Sequence, residues 1–68
     1  MPTDLPLAAV ERLIRKAGAE RVSIDAAQAL ADVLEEKALD IAQKAVLMAR
    51  HAKRKTVTGE DIRLAMRE

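Results

Sequence analysis

Residues 24–52 read IDAAQALADVLEEKALDIAQKAVLMARHA and contain neither proline nor glycine. Apolar residues recur along this stretch at alternating steps of three and four, a spacing that places them on one face of an α-helix. These residues are Ala27, Leu30, Leu34, Ala38, Ile41, Ala45 and Met48. The stretch is therefore predicted to form one unbroken helix, roughly 43 Å long at 1.5 Å per residue.

A shorter helix is predicted before the long one, over about residues 6–17. Pro6 suits the first turn of a helix because its fixed φ angle is already helical. Gly18 suits the C-terminal stop, since glycine adopts the left-handed conformation at little cost. Ser23 then follows as the expected N-cap of the long helix.

Another short helix is predicted after the long one, over about residues 58–66. Thr58 stands at its start with Asp61 three residues later, a pair that resembles a capping box. The chain is thus expected to be all-α, in the order short helix, long helix, short helix. It is expected to form a single domain over residues 1–68.

The long helix is too long for a monomer of this size. The chain has 68 residues, and none of them is aromatic. A compact chain of that length is only about 28 Å across, so the helix would overhang it. Apolar residues also occupy a second face of the helix, more than two short helices can cover. We therefore expect an obligate dimer in which two long helices cross antiparallel, bringing the first loop of one chain beside the second loop of its partner.

The formal net charge of +1 conceals two basic segments around an acidic one. Residues 12–21 carry four basic side chains and one acidic, whereas residues 25–40 carry five acidic and one basic. Residues 50–55 carry four basic side chains and His51. Basic segments of this kind attract the phosphates of a duplex, and the lack of aromatic stacking residues argues against single strands. The predicted partner is double-stranded DNA.

The composition excludes several other classes of protein. The chain has no cysteine, which excludes disulfides and thiolate metal sites and makes a reducing compartment the default. No apolar run approaches the ~20 residues of a membrane span, and the N-terminal sequence lacks the features of a signal peptide. We therefore expect a cytoplasmic protein with no membrane association.

An enzymatic function is not expected. Asp32, Glu36 and Asp40 lie at i, i+4 and i+8 of the long helix, and they are interpreted as a solvated outer face. One serine and no cysteine or tyrosine leave few nucleophiles to act beside such carboxylates. His51 has no companions for a metal site. No cofactor, metal ion or small-molecule substrate is therefore predicted.

Three stretches of the sequence carry a resemblance to a known family. They are LPLAAVERLIRKAGAERVS, LADVLEEKALDIAQKAVLMARHA and RKTVTGEDIRLAM. In order, they resemble the first helix and loop, the long helix, and the second loop and last helix of the archaeal histones, the minimal histone-fold proteins. The resemblance implies an intertwined handshake homodimer that binds and wraps double-stranded DNA with little regard to sequence. It also implies compaction of the chromosome, or nucleoid, into nucleosome-like or filamentous chromatin.

The resemblance and the basic segments together name the candidate DNA-binding residues. They are Arg12, Arg15, Arg21, Lys53, Arg54, Lys55 and Thr56. By resemblance, Arg12 inserts into the minor groove, while Arg21 and the Lys-Thr pair of the second loop contact phosphates. Many relatives have glycine where this chain has Lys53, so a left-handed residue there would cost about 1 kcal/mol. The additional charge is expected to make DNA binding tighter and more dependent on salt.

Other residues match positions with roles in structure and assembly. Arg54 and Asp61 match an ion pair within the chain that braces the second loop. The residues that match the contact between neighbouring dimers, in a tetramer or polymer on DNA, are Met48, His51, Asp61 and Leu64. Gly18 matches a small residue that lets successive turns of DNA stack closely.

Two alternatives remain open from the sequence. A histone-fold subunit of a transcription or chromatin complex would use the same fold to recognise a protein, including a paralogue in a heterodimer. In the simpler interpretation, Arg12 and Arg15 are solvated helix positions, and the cluster at 50–55 complements the negative end of a helix dipole. The presence of Arg12, Arg21, Lys55 and Thr56 together favours DNA. The length of DNA wrapped, and the choice between tetramer and filament, are not predicted.

Overall fold

The computed structural model describes residues 4–67. Within that range the chain forms three helices and no strand: α1 spans Leu7–Lys16, α2 spans Ile24–His51 and α3 spans Gly59–Arg67. Each helix end lies within one residue of its predicted position, which confirms the order short, long, short. The predicted domain, residues 1–68, extends past the described residues at both ends.

The ends of α1 are set by backbone geometry. Pro6 occupies the N-cap position rather than the first turn, with φ −64° and ψ 119°. Its carbonyl accepts a hydrogen bond from the Val10 N–H at 3.3 Å. At the other end Gly18 has φ 117° and donates its N–H to the Arg15 carbonyl at 2.9 Å. The following N–H, of Ala19, reaches the Ile14 carbonyl, which completes a Schellman turn.

Helix α2 begins at a side-chain cap and ends in the same kind of turn as α1. The Ser23 Oγ accepts a hydrogen bond from the Ala26 N–H at 3.0 Å, as an N-cap does. Beyond the last turn, Lys53 has φ 60° and donates its N–H to the Arg50 carbonyl at 2.9 Å. The Arg54 N–H donates to the Ala49 carbonyl at the same distance. A lysine thus stands where α1 has a glycine.

Helix α3 begins with the predicted capping box. The Thr58 Oγ1 accepts a hydrogen bond from the Asp61 N–H at 3.3 Å. In return, the Asp61 Oδ2 accepts one from the Thr58 N–H at 2.9 Å. These reciprocal bonds satisfy two backbone donors that the first turn of a helix would otherwise leave open.

The chain divides into two compact units, Met1–Glu36 and Lys37–Glu68, and α2 contributes to both. Buried apolar side chains are few and small in each. Those of the first unit are Val10, Ala27 and Ala31, and those of the second are Ala45, Ala49 and Ala65. Large apolar side chains stay between 37% and 83% exposed, namely Leu13, Ile24, Val33, Leu34, Leu39, Leu47, Val57, Leu64 and Met66. The isolated chain therefore leaves much of its apolar surface in water.

Candidate nucleic-acid interface

The second loop is held by a guanidinium at its centre. The Arg54 side chain donates two parallel hydrogen bonds to the Asp61 carboxylate, at 2.8 and 3.0 Å. Its Nη1 also donates to the Thr56 carbonyl at 3.0 Å. Asp61 is only 5% exposed at its side chain, whereas Arg54 is 41% exposed. Two-pronged charge-assisted bonds of this kind fix geometry as well as adding stability. They tie the loop to the first turn of α3.

This ion pair also fixes the charge state of its two members. Hydrogen bonds from the Arg54 side chain and from the Thr58 N–H lower the pKa of Asp61 well below its usual range, although burial opposes them. The hydrogen bond to Asp61 in turn raises the pKa of Arg54. Asp61 therefore stays ionised, and the loop stays braced, throughout the neutral pH range.

The remaining cations of residues 50–55 have no carboxylate to neutralise them. Arg50, Lys53 and Lys55 are exposed, and none of them forms an ion pair with any of residues 4–67. Thr56 is exposed as well, while its carbonyl is held by Arg54. The brace thus uses one cation internally and leaves three facing solvent.

The first loop has a similar but more exposed brace. The Arg15 Nη2 lies 2.6 Å from the Glu11 Oε1, and its Nη1 donates a hydrogen bond to the Glu20 carbonyl at 3.3 Å. The two side chains of the ion pair are 51% and 40% exposed. Glu11 was missing from the sequence prediction, although its position four residues before Arg15 favours such a pair on a helix. Arg15 is therefore the least available of the predicted DNA-binding arginines on α1.

Arg12 and Arg21 are the free cations of the first basic segment among the predicted residues. Both are exposed, and neither forms an ion pair within residues 4–67. Arg12 shares an open hollow of about 240 Å³ on α1 with Ala8, Glu11 and Arg15. Each of the two units therefore presents unneutralised basic side chains.

The residues predicted for assembly differ in their exposure. His51 is exposed, Leu64 is 43% exposed and Met48 is half-buried. Asp61 is buried, and both of its oxygens already accept hydrogen bonds from Arg54. Gly18 is exposed, and a Cβ built on it would meet no atom within 4 Å. In this chain its requirement for glycine therefore comes from its backbone angle.

The described residues hold no candidate for two other kinds of site. Residues 4–67 contain no group of three or more histidine, aspartate or glutamate side chains that could hold a metal ion. No helix in that range combines the length and apolar character needed to cross a membrane.

Comparison with known proteins decides the family. Residues 3–66 match the family model described as histone-like transcription factor (CBF/NF-Y) and archaeal histone. The chain belongs to this family. The match covers parts of both compact units and reaches into all three helices. Family membership confirms the predicted histone fold and the prediction that the chain is not an enzyme.

Two relatives within the archaeal histones match almost end to end. The first of the two subunit-level matches, from the archaeal histone HAN1 of Thermococcus zilligii, is 62% identical over 64 residues, which cover 94% of this chain and 96% of the relative. Probable archaeal histone 3 of Methanocaldococcus jannaschii is 53% identical over 64 residues, with the same coverage of 94% and 96%. The histone-fold chain described above is thus similar to both over nearly its whole length.

Proposed function

We propose that this chain binds double-stranded DNA with little regard to base sequence and compacts it into chromatin on the chromosome. The observation that carries the proposal is the second loop. There Arg54 is bound to Asp61, while Lys55 and Thr56 are exposed beside it without an ion-pair partner. A rigid loop that presents unneutralised cations suits the regularly spaced phosphates of a duplex. The names of both archaeal histone relatives support the same function.

The active form is a handshake homodimer of one histone-fold domain, residues 1–68. Support comes from the apolar residues that the isolated chain leaves exposed at the middle of α2, where a partner helix would cross. Leu34 is 37% exposed and Ala38 is exposed as well, although both lie on the predicted buried face. Covering this surface would supply the core that the small buried alanines do not. The HAN1 relative is named as one subunit of its histone, so a heterodimer with a paralogous chain is the variant of this proposal.

The contacts with DNA divide into direct and indirect ones. Arg12 enters the minor groove, and Arg21, Lys55 and Thr56 bind phosphates. Arg15 contributes less, because Glu11 competes with DNA for its guanidinium. Arg54 acts chiefly by holding the loop, since Asp61 and the Thr56 carbonyl already occupy it.

Dimers are proposed to join further on DNA into tetramers or longer polymers. Met48, His51 and Leu64 offer partly or fully exposed side chains for that contact, with Asp61 at its edge. An exposed Gly18 leaves room for adjacent turns of DNA.

The competing function is that of a histone-fold protein that recognises another protein in a transcription or chromatin complex. The observation in its favour is the family description, which joins histone-like transcription factors with archaeal histones. The unpaired cations in both basic segments favour DNA, since a protein-recognition module does not need them.

Digestion of random-sequence duplex DNA with micrococcal nuclease, after binding of the purified protein, tests the proposal. We expect protected fragments with a regular step, and their upper limit separates discrete tetramers from open polymers. No protection at moderate salt, with a dimer intact by light scattering, would support the protein-interaction function instead.

A further inference from the structure

Lys53 is held in a backbone conformation that lysine rarely adopts. Its φ of 60° is the one positive value at a residue other than glycine within residues 4–67. Left-handed geometry brings the Cβ of an L-residue too close to the following carbonyl oxygen, so it destabilises the native state relative to glycine. The first helix ends in the same turn with Gly18 at that position.

Nothing in the turn itself requires a lysine. The hydrogen bonds that define it, from the Lys53 N–H to Arg50 and from the Arg54 N–H to Ala49, involve backbone atoms alone. The Lys53 side chain is exposed and forms no hydrogen bond or ion pair with residues 4–67. The side chain therefore gains no contact within the described chain that offsets the strain of its backbone.

We propose that Lys53 is a phosphate-binding residue of the second loop, at which conformational stability and DNA affinity oppose each other. The Schellman turn fixes the position of Lys53 two residues before Lys55, on the segment whose other side is tied to Asp61 by Arg54. The lysine adds a second unneutralised cation to this rigid loop. Strained residues persist where function selects them and the surrounding structure enforces them. This inference rests on the proposed DNA binding.

The test compares two substitutions of the full chain, Lys53→Gly and Lys53→Arg, with the unmodified protein. Each is measured by thermal unfolding at one protein concentration and by the salt dependence of binding to random-sequence duplex DNA. Lys53→Gly should raise Tm by about 5 °C, because it relieves the strain without changing the backbone bonds. It should weaken binding roughly fivefold at moderate salt and lower the slope of log K against log salt by about 0.9 for each chain bound. Lys53→Arg keeps the charge and should keep the slope.

A matched control is Lys37→Gln, which removes an exposed lysine within the acidic segment of α2. It should leave the salt slope unchanged. The inference is overturned if Lys53→Gly binds DNA with the original affinity and slope. It is also overturned if Lys53→Gly lowers Tm, because the lysine would then act as a stabilising charge at the helix end. If the unmodified protein shows no salt-dependent binding, the proposed function fails first, and the two failures are therefore distinguishable.

Discussion

The two inter-helix loops are built on the same backbone turn but differ in the residue at its left-handed position. The turn after α1 has Gly18 at φ 117°, and the turn after α2 has Lys53 at φ 60°. In both, the left-handed residue and the one after it donate their N–H groups to the last carbonyls of the helix. The first loop thus has a relaxed backbone, whereas the second has a strained one.

The bracing of the two loops differs in the opposite sense. In each loop an arginine joins a backbone carbonyl to a carboxylate, Arg15 through Glu11 and Arg54 through Asp61. The Glu11 side chain is 40% exposed, while that of Asp61 is 5% exposed and also caps α3. An ion pair in water contributes little, and a shielded two-pronged pair contributes more. The comparison teaches that the strained turn occurs where the surrounding hydrogen bonds are strongest.

The largest expected effect comes from removing the strong brace. Asp61→Asn leaves Arg54 without its anion and weakens the cap of α3, so Tm should fall by roughly 10 °C at fixed protein concentration. DNA binding should weaken too, although a negative charge has been removed. Thermal unfolding followed by circular dichroism, together with a binding titration, measures both.

The matched control for this substitution is Glu60→Gln, at the exposed neighbour of Asp61. It removes the same charge without touching the brace, so Tm should change little and DNA binding should be unchanged or tighter. If both variants bind DNA more tightly, charge alone governs the second loop and the brace has no part in presenting it.

The same carboxylate predicts a pH dependence. Asp61 has a lowered pKa in the folded chain, so between pH 4 and more acidic values the unfolded chain binds a proton that the folded chain does not. Its contribution to stability is therefore complete above about pH 4 and is lost as pH falls below that value. Urea unfolding from pH 6 to pH 2 should show a steeper loss for the unmodified protein than for Asp61→Asn. Parallel curves would place the acid sensitivity in other carboxylates.

A smaller effect is expected from a methyl group added at each of the two glycines. Gly18→Ala should destabilise by about 1–2 kcal/mol, because its φ is left-handed although no atom lies within 4 Å of the new Cβ. Gly59→Ala should stabilise by about 0.5 kcal/mol, since α3 begins there and alanine favours helices. Its Cβ would meet only the end of the flexible Arg63 side chain, at 3.4 Å. Urea unfolding of both variants measures the two signs, and a loss at both positions would mean that crowding governs rather than backbone angle.

Much of the fold could be predicted because its signals are local. Helix ends follow from residues with one strong preference each: Gly18 for the left-handed turn, Ser23 and Thr58 for caps. Lys53 shows where local rules stop, since nothing in its own preferences places it at positive φ. The helix before it and the brace after it impose that angle, and only the resemblance to relatives with glycine indicated it.

The candidate site was predictable in its composition but not in its pairing. The basic segments were visible as charge, whereas the choice of partners depends on three-dimensional geometry. Arg54 has both Glu60 and Asp61 close in sequence, and the cap of α3 turns Asp61 toward it. Arg15 contacts a carboxylate on its own helix and a carbonyl in the loop, which charge patterning alone does not reveal.

The smallest expected effect lies in the weak brace of the first loop. Glu11→Gln breaks an exposed ion pair, so stability should change by about 0.5 kcal/mol or less. Arg15 is then free to meet a phosphate, and DNA affinity should rise roughly twofold at low salt, with the gain disappearing at high salt as the charges are screened. Binding titrations at two salt concentrations measure the gain, with Glu36→Gln on α2 as a control that removes an acidic charge away from either brace. Weaker binding by Glu11→Gln would mean that the first loop, like the second, needs its arginine held in place.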